Sequence, residues 1–459
     1  MARFNPDCFR AYDIRGLVDE DFDSRSVEDL GRACGTYFRQ RGLTRAVVGR
    51  DNRHSSTEYQ ASIVRGLADT GVDAVMLPMV PTPVFYQAVS SLGCRAGVMI
   101  TASHNPSEYN GFKVWTGEDT IHTHELQEIR QILESGEFET GEGVASELDP
   151  VEEYLQEITA GIQLRDPVRV VVDGGNGSAG NVCASLLERI GAEVIPIYCE
   201  PDPDFPNHHP DPTVMENIRD LRQAVLDNGA HAGIGMDGDG DRIGVVDERA
   251  GVLYGDQLLA IFARDMLRHH PGAYVIGEVK CSHLLFQDIQ EHGGQPIMWK
   301  TGHSLIKDKM RQVGAKLAGE MSGHMFFADR YYGFDDAIYA AARLTEIMSR
   351  DVDKPLSGYL ANWPETHNTP EIRLECPDSI KFQVVDKAVE YFKGLSGDFE
   401  VLDVDGVRIN FRDGWGLVRA SNTQAVLVMR FEAETEDRLR EIREFFESPL
   451  QGWIEELGG

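Results

Sequence analysis

One pattern recurs three times along this chain of 459 residues, and it limits the possible folds more than any other feature. RAVVGRDNRHSSTEYQASIVRGLADTGVDAVML begins at Arg45, VRVVVDGGNGSAGNVCASLLERIGAEVIPI at Val168 and AYVIGEVKCSHLLFQDIQEHGGQPIMW at Ala273. Each opens on a β-branched apolar run, which reads as a buried strand, then passes through a polar turn into a helix-length amphipathic stretch. Glycine ends these stretches at Gly71, Gly191 and Gly293, and a second apolar run follows. Strand, helix and strand in that order imply βαβ units and mostly parallel sheets with helices on their faces. The copies stand roughly one hundred residues or more apart, too far for a solenoid repeat, and predict tandem domains.

After about Pro364 the texture changes. EIRLECPD, EVLDVDGVRINFRDGWGLVRAS and AVLVMRFEAET alternate in the manner of antiparallel strands, and EDRLREIREFFESPLQGWIEEL reads as a terminal amphipathic helix. The expected class is therefore α/β. Three tandem mixed-sheet α/β domains of similar topology span 1–149, 150–251 and 252–363, and a smaller C-terminal α+β domain spans 364–459. Ligands of open α/β sheets bind beyond the carboxyl ends of the strands, so the domains are expected to aim their strand-end loops into one central cleft.

Charge narrows the function. Lys and Arg number 44 and Asp and Glu 75, for a net charge of −31, which argues against nucleic acid or an anionic membrane as partner. An anionic substrate would need a local basic cleft. Seven cysteines, widely spaced and without a CxxC pair, argue against a disulfide framework or zinc site and for a reducing compartment. The opening MARFNPDCFRAYDIRG has no apolar signal core, and no run is long enough to span a bilayer, so a cytoplasmic protein is expected.

In AGVMITASHNPSEYNGFKVW an apolar run, Ala96 to Ile100, leads into a polar loop with Ser103 and His104 at its tip. Asn105-Pro106 forces a turn, and Lys113 follows in a second short strand. A serine on a strand-end loop can act as a nucleophile or carry a phosphate, although most such serines only shape a turn. TASHNPSEYNGFKV closely resembles the active-site loop of the α-D-phosphohexomutase family, and most of all the branch acting on both phosphomannose and phosphoglucose. The resemblance implies that Ser103 is phosphorylated in the resting enzyme and is the phosphoryl donor.

Asp237-Gly238-Asp239-Gly240-Asp241-Arg242 lies between two strand-like runs. Carboxylates separated by glycines can converge on one hard cation, and three of them suit magnesium, which keeps positions open for water or phosphate. The rival is a calcium loop of the EF-hand kind, since Asp237, Asp239, Asp241 and Glu248 match its positions. Arg242 stands where that loop needs glycine, however, and the flanks read as strands. DGDGDR resembles the family's metal loop. By that resemblance Asp237, Asp239 and Asp241 bind one magnesium ion, which also touches phosphorylated Ser103, and Arg242 helps neutralise the transferring group.

A competing signal is Gly175-Asn176-Gly177-Ser178-Ala179-Gly180, which fits GxGxxG after a strand, with Glu200 at the spacing of a ribose ligand. It would mark an NAD-binding oxidoreductase. Against that reading, the same unit recurs twice without the glycines.

In GEMSGH, residues 319–324, Glu320 can accept hydrogen bonds from sugar hydroxyls and Ser322 can both donate and accept. The segment resembles the family's sugar loop. Met321 stands where branches acting on glucosamine phosphate tend to carry glutamine, although a phosphoglucosamine mutase remains the alternative within the family. Arg419, Ser421, Asn422 and Thr423 of RASNT suit a phosphate dianion and resemble the loop for the non-reacting phosphate. Tyr12, Arg15, Lys280 and His303 match further cleft positions, and His324 closes the sugar loop. The resemblance runs through all four domains. It implies a monomeric or weakly dimeric enzyme acting on phosphosugars, with a hexose 1,6-bisphosphate as intermediate and activator. Lys113, His303, His324 and His104 are the candidates for proton transfer; a lysine in that role would need its pKa lowered by basic neighbours.

Overall fold

The computed structural model describes residues 4–117, 119–421 and 424–458. The chain divides into two compact units, Met1–Leu258 with Ser322–Tyr359, and Leu259–Met321 with Leu360–Gly459.

In the first unit, β1 (Ile14–Leu17), β2 (Arg45–Arg50), β3 (Asp73–Met79), β4 (Ala96–Ile100), β5 (Tyr109–Thr116), β6 (Asp119–Thr120) and β7 (Ala145–Glu147) form one sheet. Its order is β1-β5-β4-β2-β3-β7, with β6 beside β5. β2 runs parallel to β3 and β4, while β5 runs antiparallel to β4. The run AGVMI of β4 is buried at every residue, as a strand covered on both faces must be. Helices Ser24–Gln40, Ser56–Asp69 and His124–Ser135 place Leu30, Tyr37, Ile63, Leu67 and Ile129 in one core with Val48 and Val98 of the sheet.

A second sheet holds β8 (Arg169–Asp173), β9 (Glu193–Ile197), β10 (Ala232–Met236), β11 (Ile243–Asp247) and β12 (Val252–Leu253) in the order β12-β11-β10-β8-β9. β8 is parallel to β9 and β10, and β11 is antiparallel to β10. The order β11-β10-β8-β9 thus repeats β5-β4-β2-β3. In the second unit β13 (Tyr274–Glu278), β14 (Gln295–Trp299) and β15 (Leu317–Gly319) repeat it again as β14-β13-β15, all parallel. The crossover helices end as expected, with Gly71, Gly191 and Gly293 in the left-handed region that leaves a helix without a Cβ clash.

β16 (Met325–Phe327) and helix Ala337–Ser349 belong to the first unit. All thirteen residues of that helix are buried, and its polar members have partners: Arg343 donates to both carboxylate oxygens of Asp329 at 2.9 and 3.0 Å. The second unit also holds an antiparallel sheet of β17 (His367–Asn368), β18 (Ile372–Glu375), β19 (Phe399–Leu402), β20 (Val407–Phe411), β21 (Gly414–Ala420) and β22 (Val426–Ala433). Its order is β17-β22-β21-β20-β19, with β18 beside β22. Helices Lys381–Gly394 and Glu436–Gly458 cover it, burying Val384, Phe392 and Phe446 against Ile409 and Phe431. The chain therefore has the four α/β and α+β modules expected from its patterning.

All seven cysteines are buried, and none is in a disulfide. Among the described residues no helix is long and apolar enough to cross a membrane.

Candidate active site

The loops at the carboxyl ends of β4, β10 and β15 occupy the same place in three sheets, each following the third parallel strand. The first carries Ser103, the second the aspartate triplet and the third Glu320. This is where an open α/β sheet offers residues to a ligand.

Ser103 is 2% exposed and has φ 51°, a left-handed backbone that a non-glycine residue holds only when its surroundings impose it. Its N–H donates to Thr101 Oγ1 at 2.9 Å. Its Oγ donates to Asp237 Oδ2 at 2.8 Å and lies 3.2 Å from His104 Nδ1. The serine and metal loops therefore meet through side chains.

Asp237, Asp239 and Asp241 are buried, and one oxygen from each lies within 4.8 Å of the others. Asp237 Oδ1 accepts the backbone N–H of Gly240, Asp241 and Arg242 at 3.0–3.2 Å, which shapes the turn. Lys113 Nζ donates to Asp239 Oδ2 at 2.7 Å and to Asp241 Oδ2, and Thr82 Oγ1 donates to Asp239 Oδ2 at 2.6 Å. Of the other oxygens, Asp239 Oδ1 is buried without a hydrogen-bond donor, and Asp241 Oδ1 faces His324 Nε2 at 3.4 Å. Burial, followed by the charges of Asp241 and Asp239, pushes the Asp237 carboxyl well above its ordinary range. Burial acts the same way on Asp241, but Lys113, His324 and Arg242 outweigh it and hold that carboxyl well below the range. Three converging carboxylates, one of them with a buried oxygen that has no donor, fit a hard divalent cation.

The surroundings of Lys113 correct one expectation. A proton-shuttling lysine needs basic neighbours; here burial lowers the ammonium's pKa but Asp239 and Asp241 outweigh it, and the net shift is upward. His104 is displaced the other way: burial, then Arg242 and Arg15, holds its imidazole well below the usual histidine value.

Arg242 lies beside the triplet, with Nε 3.9 Å from Asp237 Oδ2, and donates to His324 Nε2 at 3.3 Å. His324 Nδ1 is 2.9 Å from Ser322 Oγ, and Ile243 N–H donates to Gly323 O at 3.1 Å, so the end of the sugar loop pairs with the metal loop. Arg15 donates to Asn105 Oδ1 of the serine loop at 2.7 Å. Tyr12 is half-buried in the segment entering β1.

The remaining candidates form a second network, within the second unit. Glu320 Oε1 accepts Gly302 N–H at 2.7 Å, next to His303 at the start of helix His303–Val313. Asp405 Oδ2 accepts Thr301 N–H at 3.1 Å and Arg419 Nε at 2.8 Å. Lys280 Nζ donates to Glu371 at 3.2 Å and lies 3.6 Å from Glu278, whose other contacts are Met321 N–H at 2.7 Å and Thr301 Oγ1. Ser421 Oγ accepts Gln424 N–H at 3.1 Å. Asn422 and Thr423 lie outside the described residues. Glu278, Asp405, Thr82 and Arg53 escaped the sequence reading. Only Arg53 had a local signal, the charged RDNR turn of the first βαβ unit, which reads as an ordinary polar turn.

The glycine motif has a different use from the one its spacing suggests. A Cβ on Gly177 would lie 2.6 Å from Gly238 O, and one on Gly238 would lie 2.4 Å from Ser103 O. Ser178 donates to Gly238 O through both N–H and Oγ, at 3.0 and 3.1 Å. The place where a dinucleotide would put its pyrophosphate is filled by the metal loop, and the oxidoreductase reading falls. The calcium reading falls too, because the triplet joins two antiparallel strands and Glu248 is bonded to Ser357 N–H at 3.1 Å.

Comparison with known proteins agrees with this architecture. Models of phosphoglucomutase/phosphomannomutase alpha/beta/alpha domains I, II and III match residues 6–140, 152–251 and 254–366, and the C-terminal domain model matches 371–448. The chain belongs to the phosphoglucomutase/phosphomannomutase family. A phosphomannomutase/phosphoglucomutase of Pseudomonas aeruginosa is 44% identical over 443 residues, which is 96% of this chain and 95% of that protein. The crystal structure of a phosphoglucomutase/phosphomannomutase family protein from Burkholderia thailandensis superposes with a TM-score of 0.93 at 40% identity, covering 98% of each chain. A probable phosphoglucosamine mutase of Methanopyrus kandleri is more distant, 34% identical over 97% of this chain and 98% of its own length.

Proposed function

We propose that the chain interconverts hexose 1-phosphates and hexose 6-phosphates, of mannose, glucose or both, through a phosphoserine at Ser103. The observation that carries this reading is the 2.8 Å hydrogen bond from Ser103 Oγ to Asp237 Oδ2, which joins the loops of two sheets at one buried point.

In the forward step the P–Oγ bond of phosphorylated Ser103 breaks as a bond forms from phosphorus to a free sugar hydroxyl, whose proton leaves. The resulting hexose 1,6-bisphosphate turns end over end, and Ser103 Oγ then bonds to the phosphorus of the substrate's original phosphate as its bond to the sugar oxygen breaks, which regenerates phosphoserine and leaves the isomeric monophosphate. Asp237, Asp239, Asp241 and the phosphate on Ser103 would hold one magnesium ion, which supplies Lewis-acid neutralisation of the transferring group. Arg242 adds positive charge on the same side. Lys113 acts as a fixed counter-charge to the carboxylates. His104, with Nδ1 3.2 Å from Ser103 Oγ, is placed to exchange the serine proton; His303 and His324 suit proton exchange at the sugar. Glu320, Ser322, Lys280, Tyr12 and Arg15 would contact the sugar phosphate, and Arg419 and Ser421, with Asn422 and Thr423, would take the phosphate that is not transferred.

Four domains divided near residues 149, 251 and 363 would share this work in a cytoplasmic enzyme, monomeric or weakly dimeric, that hexose 1,6-bisphosphate activates. Action on glucosamine phosphate is the second reading; Met321 and the lower identity to the amino-sugar mutase weigh against it.

Intact-mass analysis with site mapping tests the serine, and mutase assays on mannose 1-phosphate and glucose 1-phosphate rank the sugars. Ser103→Ala should bind magnesium and remain folded while losing turnover by at least about 10³-fold. Normal turnover in that variant would reject the scheme.

A further inference from the structure

We infer that Arg53 is a positioning residue for phosphoryl transfer: it holds the loop of residues 103–109 by four carbonyl groups and so aims Ser103 Oγ at the metal-binding carboxylates. The inference rests on the mutase reading above and assigns a role to a residue outside the motifs that define the site.

Arg53 lies in the turn between β2 and helix Ser56–Asp69, and its side chain is 1% exposed. A guanidinium has five N–H groups in one plane, and all five have an acceptor here. Nε donates to Asp51 Oδ2 at 3.1 Å. Nη1 donates to the carbonyls of Pro106 and Tyr109 at 2.5 and 3.0 Å, and Nη2 to those of Ser103 and Asn105 at 2.9 and 2.5 Å. Asp51 is itself braced, since its Oδ1 accepts Arg53 N–H at 3.0 Å and Ser56 Oγ–H at 2.5 Å.

Four carbonyl dipoles converging on one buried point repel each other unless a cation meets them. Only the flat fork of arginine can serve four carbonyls and a carboxylate together; lysine has three donors on a single atom. The loop curls around this group. With Ser103 O bonded to Arg53 and Ser103 N–H bonded to Thr101, the left-handed backbone at φ 51° is held from both sides and Oγ points at Asp237. Four of the five bonds of Arg53 thus go to the reactive loop and the fifth to its anchor Asp51, which points to aiming the nucleophile as its task.

The test uses the full chain with magnesium, and glucose 1,6-bisphosphate as phosphoryl donor. The rate of phosphate incorporation at Ser103 is followed by quenched intact-mass analysis, with magnesium affinity and thermal midpoint measured on the same samples. Arg53→Lys should phosphorylate Ser103 about 10²-fold more slowly, because a misplacement of the order of 1 Å is enough to cost that much. Its magnesium affinity should stay within about twofold and its KM for hexose 1-phosphate within about threefold, so that the loss falls on kcat. Asp51→Asn, which leaves Arg53 in place but loosens its anchor, should show a smaller loss of the same kind. Wild-type rates in Arg53→Lys overturn the inference, as does a loss that disappears once rates are scaled to the folded fraction. If the wild-type chain neither carries phosphate at Ser103 as purified nor takes it up, the mutase reading itself has failed.

Discussion

Gly177 and Gly238 meet backbone to backbone: a Cβ on Gly177 would stand 2.6 Å from the Gly238 carbonyl oxygen, and that carbonyl is hydrogen-bonded to Ser178 N–H at 3.0 Å. The glycine-rich turn is thus the surface on which the metal loop rests. Gly177→Ala must push Gly238 away, and Gly238 in turn lies against Ser103 O. Magnesium affinity, read by calorimetry, should fall at least about tenfold, or about 1.4 kcal/mol. NAD should give no saturable binding to either protein. Wild-type magnesium affinity in the alanine variant would contradict the assignment.

Lys113 Nζ, bonded to Asp239 and Asp241, is a buried cation beside three buried carboxylates. Removing one partner of a buried ion pair leaves the other uncompensated and costs about 3–5 kcal/mol. Lys113→Met should therefore unfold at clearly lower temperature than the wild type in EDTA. Saturating magnesium should recover more stability in the variant than it adds to the wild type, since the metal then supplies the missing positive charge. Equal thermal midpoints in EDTA would show that the lysine is not balancing the triplet.

His208 contributes a pH-dependent term. Its Nε2 is 3.1 Å from both oxygens of buried Asp173. Burial alone would lower the imidazole's pKa, but the hydrogen bond and charge of Asp173 outweigh it and raise the pKa above the unfolded value. A group shifted upward stabilises the fold fully below its unfolded pKa, near 6.5 for histidine, and loses that contribution as pH rises through the higher folded value. The wild type should lose about 1 kcal/mol relative to His208→Gln on going from below pH 6 to above pH 8. Parallel stability–pH curves for the two proteins would refute the pairing.

The fold was largely legible because burial writes itself into local pattern. AGVMI at Ala96–Ile100 is apolar at every position, as a doubly covered strand requires, and β-branched runs followed by amphipathic stretches repeat wherever a βαβ unit stands. Ser103 and the aspartate triplet were legible for a related reason: each occupies a short contiguous loop whose chemistry is complete within a few residues. Arg53 was not, since its role lies in carbonyls contributed by positions 103 to 109, and a carbonyl leaves no mark on residue type. Lys113 falls on the strand its sequence context predicts, but the neighbours of its ammonium are not legible along the chain. They are Asp239 and Asp241, separated from it by 126 and 128 residues.

By itself the amino-acid order determined the βαβ repetition, the antiparallel final module and the identity of the loops that carry chemistry, since each of these depends on side chains close together along the chain. Tertiary structure alone decided that the serine oxygen faces Asp237, that a nucleotide-like glycine turn supports a metal loop, and that a lysine is locked in ion pairs. Those outcomes depend on which loops the sheets bring to one place, and on a buried environment where every uncompensated charge or carbonyl must find its partner.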